Sequence, residues 1–133
     1  MKVLLDTHTF LWAITDESRL SQRARTLMAS AELWWSVASL WEVVQKVQIG
    51  KLTLPLPAGA FLQGELRASN VHLLPVTASH VVRVESLPLH HRDPFDRILI
   101  AQSIEEGWPI LTADASFSRY TVSVIWAQTG KTG

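Results

Sequence analysis

Apolar positions recur along this chain with two different periods, and the switches between them mark its elements. Lys2–Leu5 is short, apolar and bounded by a polar turn, which reads as a buried strand. Thr7–Ile14 places Phe10, Leu11 and Ile14 at helical spacing. Ser21 suits the cap of a helix running to Ser30, with Ala24, Leu27 and Met28 as its apolar stripe. Leu33–Val37 reads as a strand, with Trp34 and Trp35 on opposite faces. Ser39–Ile49 reads as a helix that Gly50 ends. The run from Leu52 to Pro57 is an extended connection, and beyond it come a helix over Ala58–Ala68 and a strand at His72–Pro75.

Thr77 can cap a helix reaching Leu87, and Pro88–Arg92 is loop. Asp93-Pro94 carries both expected residues of a helix start, an acidic cap and then proline at the first helical position. That helix extends to about Glu106, where Gly107 closes it. Trp108–Thr112 is a strand, Ala115–Ser118 a helical turn and Ser123–Trp126 a last strand, with a frayed tail over 127–133. Strands alternating with helices imply a mostly parallel sheet of about four to five strands covered on both faces, in one domain over 1–133.

Composition narrows the function. The chain has 133 residues, 47% of them hydrophobic, with no cysteine, which excludes a disulfide scaffold, a thiolate zinc site and a cysteine nucleophile. The first apolar run ends at Asp6 and the densest one, Leu33–Trp41, is too short to span a bilayer. The expectation is therefore a soluble, cytoplasmic protein. Twelve basic and twelve acidic residues balance, which argues against a tight non-specific nucleic-acid binder but not against a nuclease. Arg19, Arg23 and Arg25, and again Arg92 and Arg97, cluster in sequence and read as solvated faces.

Four carboxylates change the picture. Asp6 comes directly after the first strand and Asp114 after a late one, while Glu42 and Asp96 lie early on predicted helices. In an open parallel sheet those places converge at one edge. A cluster of hard oxygen ligands without cysteine points to Mg²⁺ or Mn²⁺. Each acid also has a plainer account. Glu42 can pair with Lys46 one turn on. Asp6 and Asp114 can each cap the next helical segment, and the helix dipole favours acids where Asp93 and Asp96 stand. The chain has no phosphate-binding glycine loop, no nucleophile elbow and no H-E-x-x-H. His90 and His91 are adjacent, which suits a loop better than a metal site.

These segments together resemble the PIN domains, and among them the VapC-type ribonuclease toxins of bacterial toxin–antitoxin pairs. The matching stretches are Leu4-Leu5-Asp6-Thr7-His8, Ser36-Val37-Ala38-Ser39-Leu40-Trp41-Glu42, Arg92-Asp93-Pro94-Phe95-Asp96-Arg97-Ile98-Leu99-Ile100-Ala101-Gln102 and Leu111-Thr112-Ala113-Asp114. The resemblance implies an α/β three-layer sandwich. It also implies an acidic pocket of Asp6, Glu42, Asp96 and Asp114 binding Mg²⁺ or Mn²⁺, with Thr112 and Ser39 in support and Asp93 as helix cap. The activity implied is hydrolysis of RNA by a homodimer, restrained by a small cognate antitoxin. The exposed tryptophans and the helix around Phe61, Leu62 and Leu66 are candidates for its docking surface. Two other readings compete with this one. A binding module with the same acids as mere caps predicts no response to metal. An aspartyl phosphatase lacks its second acid, because position 8 is His8.

Overall fold

The computed structural model describes residues 1–128. Five parallel strands form one sheet: β1 (Lys2–Leu5), β2 (Glu32–Ser36), β3 (Val71–Leu74), β4 (Ile110–Thr112) and β5 (Val124–Trp126). Their order is β3-β2-β1-β4-β5. The chain winds from β1 towards β3 and later returns to build β4 and β5 on the other side. The reversal lies between β1 and β4, the point at which open parallel sheets open a crevice beyond their carboxyl ends.

Six helices cover the sheet among the described residues: α1 (Thr7–Thr15), α2 (Gln22–Ser30), α3 (Val37–Gln48), α4 (Ala58–Ala68), α5 (Ala78–Glu85) and α6 (Pro94–Glu106). Alternation along each strand divides the core into two. Val3, Leu5, Leu33 and Trp35 face one side and pack with Phe10, Val43, Leu62 and Leu66, all buried, from α1, α3 and α4. Leu4, Leu74 and Ile110 face the other side and pack with Leu99 and Ile100 of α6 and with Phe117. The three layers anticipated from the sequence are present.

Local chemistry explains the element ends. Ser21, Ser36, Thr77 and Asp93 each accept a hydrogen bond from a backbone N–H of the helix they open. Gly50 and Gly107 carry positive φ, +80° and +73°, where only glycine adopts the turn without strain. α3 starts two residues earlier than its apolar spacing predicts, because the Ser36 side chain caps it. A single 3₁₀ turn at Glu17–Arg19 has no counterpart in the apolar pattern.

Three expectations are corrected by packing. Leu62 and Leu66 are core residues at 0% and 3% exposure, so they offer no docking surface. Arg97 is buried rather than on a solvated face, because five polar partners surround its guanidinium. The tail does not fray from 127: Ala127 is buried, its N–H donates to the Thr112 carbonyl at 2.8 Å and its carbonyl accepts from Ser21 N–H. Gln128 donates to the Arg19 carbonyl, and the rest of the anticipated tail lies outside the described residues. Of the tryptophan pair, Trp35 points inward onto Phe10 with ring centroids 4.8 Å apart, and Trp34 packs at the opposite face against Trp108.

Candidate active site

The sheet's reversal sets Asp6 and Asp114 side by side. Asp6 is the first residue past β1 and Asp114 the second past β4, and the Asp6 N–H donates to the Leu111 carbonyl at 3.0 Å. Thr112 ties the two together. Its hydroxyl donates to Asp6 Oδ2 at 2.7 Å and accepts from the Asp114 N–H at 3.0 Å. The other Asp6 oxygen, Oδ1, accepts from the Thr7 N–H at 2.7 Å, and Asp114 Oδ1 accepts from the Ser116 N–H. Both acids are therefore caps, as their positions allow, and both also face an open cleft.

Glu42 enters the cleft from the second turn of α3, and Asp96 from the first turn of α6. Asp93 caps α6, its Oδ1 accepting from the N–H groups of Phe95 and Asp96 at 2.9 and 3.0 Å. Asp6, Glu42, Asp93, Asp96 and Asp114 line one cleft of about 470 Å³, together with His8, Trp12, Arg19 and Lys46. Ser39 stands apart from the acids. It bonds the Thr7 hydroxyl at 2.8 Å and so steadies the turn after Asp6.

Crowding the acids has an electrostatic consequence. Burial raises the Asp6 carboxyl above its ordinary value, against the lowering effects of its bonds from Thr112 and Thr7. Asp96 is pushed up to about 8, first by burial and then by the negative charges of Asp6, Asp93, Asp114 and Glu42. His91 Nε2 stands 3.4 Å from Asp96 Oδ2.

A divalent cation fits this donor set. All the acidic donors are hard oxygens, and Glu42 Oε1 is buried without a hydrogen-bond partner. Among the described residues, no three carboxylate or imidazole groups already close on a single ion position. The acids ring the cleft without closing on one point.

Sequence reasoning missed several residues. Arg97 organises the loop before α6, its Nη1 donating to the Pro88 carbonyl at 2.8 Å and to Tyr120 Oη, its Nη2 to the carbonyls of Val84 and Leu87. His91 Nδ1 lies 2.7 Å from the same Tyr120 oxygen, and His90 packs edge-on to that ring. The adjacent histidines thus belong to a loop anchor. Arg19 lies over the Trp12 ring, 4.6 Å from its centroid, at the side of the cleft. No sequence signal separated Arg19 from its neighbours, since the unforeseen 3₁₀ turn carries it there.

Five acids thus meet in one cleft beyond the carboxyl ends of a parallel sheet, at its switch point. The chain belongs to the PIN domain family, whose model matches residues 3–122. It is 32% identical over 114 residues to Ribonuclease VapC22 of Mycobacterium tuberculosis (strain ATCC 25618 / H37Rv), covering 84% of this chain and 86% of that one. The fold is also that of VapBC2 from Rickettsia felis, solved bound to a DNA fragment from its promoter, at 16% identity and a TM-score of 0.75 over 96% of this chain and 100% of that one. VapBC-5 from Mycobacterium tuberculosis, a member of the VapBC family of toxin–antitoxin systems, matches at 20% identity and a TM-score of 0.57 over 96% and 98%.

Proposed function

We propose that this protein is a metal-dependent endoribonuclease, the toxin of a toxin–antitoxin pair, hydrolysing RNA phosphodiesters with Mg²⁺ or Mn²⁺. The observation that carries the reading is the meeting of Asp6, Glu42, Asp96 and Asp114 on one cleft at the sheet's switch point. The identity to Ribonuclease VapC22 supports RNA as the substrate. The fold shared with VapBC assemblies supports a small antitoxin as partner. A homodimer acting in the cytoplasm completes the reading. No helix among the described residues is long and apolar enough to cross a membrane.

In this reading Asp6, Glu42 and Asp96 are the principal metal ligands, and Asp114 holds a second ion or a water beside it. Thr112 fixes the rotamer of Asp6, Asp93 fixes the first turn of α6 beneath Asp96, and Ser39 steadies Thr7. When bound, the ion supplies activation of water near neutral pH and neutralisation of charge on the phosphate. The chain's own part is to fix Asp6 and the first turn of α6, so that the carboxylates face one cleft when an ion enters.

The test is cleavage of a mixed cellular RNA pool by purified protein in Mg²⁺ or Mn²⁺, in EDTA, and with Asp96→Asn alongside. Cutting that needs metal and is lost in the variant is expected. Absence of cutting by folded, antitoxin-free protein overturns the reading.

A further inference from the structure

Lys46 is the cation closest to the acids for which the fold leaves a second use. It lies one turn after Glu42 on α3, and its Nζ donates to Glu42 Oε2 at 2.8 Å. The two ends of this pair have unequal surroundings. The Glu42 side chain is 6% exposed and the Lys46 side chain 37%. A surface pair at this spacing is worth only a few tenths of a kcal/mol. Glu42 is not at the surface, however, and a buried carboxylate without a counter-charge is costly. Lys46 provides that charge for one oxygen only, since Oε1 is buried with no partner. Both residues line the acidic cleft.

We propose that Lys46 is an internal counter-ion for Glu42, which a divalent cation displaces on entering the cleft, and that the released ammonium then holds a phosphate of the RNA strand. The proposal rests on the nuclease reading. A divalent ion and an ammonium compete for the charge of the one Glu42 carboxylate, and the ion carries twice the charge. Lysine's four-carbon stem lets the head swing away at small cost, which a rigid guanidinium fork does not. Among the described residues Glu42 is the sole carboxylate paired with Lys46. The swing happens in the cleft where the scissile strand must lie. Arg19 over Trp12 supplies a second cation on the same cleft, so acids for the metal alternate there with cations for the backbone. Single-stranded nucleic acid is held by such cationic grooves with aromatic support.

The experiment titrates Mn²⁺ alone, without RNA, into parent, Lys46→Met, Lys46→Arg and Asp6→Asn proteins by calorimetry, after circular dichroism has checked their folding. Lys46→Met is expected to bind Mn²⁺ about tenfold more tightly than the parent, and Lys46→Arg more weakly than the parent, because its fork is harder to displace. Binding of an oligouridylate in Ca²⁺ is then measured against salt. Lys46→Met is expected to lower the slope of log K against log salt by about 0.7, one phosphate contact on a single strand. If the parent binds Mn²⁺ through Asp6 and cuts RNA but Lys46→Met has unchanged or weaker Mn²⁺ affinity, the displacement is wrong and the nuclease reading stands. An unchanged salt slope overturns the phosphate contact. If the parent shows no Mn²⁺ binding that Asp6→Asn removes, the nuclease reading falls and this proposal with it.

Discussion

Thr112 Oγ1 donates a 2.7 Å hydrogen bond to Asp6 Oδ2 across the seam where β1 and β4 pair. The same oxygen accepts from the Asp114 N–H, so one hydroxyl sets the rotamer of one cleft acid and the backbone of another. Both side chains are buried, which makes the bond expensive to remove.

Replacing Thr112 by Val keeps the shape and deletes the hydroxyl. Asp6 Oδ2 and the Asp114 N–H then lack their partner. Partners that orient metal ligands are typically worth 10–100-fold in metal affinity or activity. Thr112→Val is expected to lose about that much in Mn²⁺ affinity and cleavage, and about 1–3 kcal/mol of stability. Thr112→Ser should restore most of both. Values within twofold of the parent for Thr112→Val would show that the hydroxyl does not position Asp6.

The metal-free protein should become less stable as pH rises. Asp96 is near its ordinary 3.8 when unfolded and is pushed up to about 8 when folded. Between those values the folded state holds a proton that the unfolded state has released, so the stability of the metal-free fold falls with rising pH across that window. Asp6 acts in the same direction. A cation must displace the Asp96 proton, so Mn²⁺ affinity should climb with pH and level off above about 8. Melting temperatures in EDTA and in Mn²⁺ across the weakly acidic to weakly alkaline range test this. Asp96→Asn should flatten the EDTA curve; a curve as steep as the parent's assigns the effect to another group.

Arg97 should matter for stability before it matters for chemistry. Its guanidinium satisfies the carbonyls of Pro88, Val84 and Leu87 and the Tyr120 hydroxyl. Arg97→Leu takes that donor from the Pro88 and Leu87 carbonyls, while Val84 and Tyr120 keep other partners, at a cost of about 1–3 kcal/mol. The loop they hold leads directly into the Asp93 cap and Asp96. The variant is expected to melt earlier and to bind Mn²⁺ more weakly at a temperature where it remains folded. Unchanged melting would mean that water replaces the guanidinium without loss.

Much of this molecule was legible in the chain. The Asp93-Pro94 start and Gly107 stop of α6, the Ser21 and Thr77 caps, and the alternation that separates Leu4 from Val3 and Leu5 are local signals, and each element they mark is present. Boundaries drifted where strand and helix signals meet, as at Val37, which the apolar pattern gives to the strand and which opens α3. Arg97 defeated sequence reasoning because charge predicts exposure, and only the loop folded over it explains its burial. Leu62 and Leu66 did so because an apolar helix face looks the same whether it waits for a partner or covers a sheet.

The sequence by itself determined the elements, their alternation and the four acids at strand ends and helix starts, because periodicity and capping act over a few residues. Tertiary structure decided that β4 rather than β3 lies beside β1. It thereby joined Asp6 to Asp114 through Thr112, turned the acids towards one cleft and placed Lys46 and Arg19 among them. Those relations depend on strand order and on which faces exclude water together, and both are settled by packing between residues as far apart as 6 and 112.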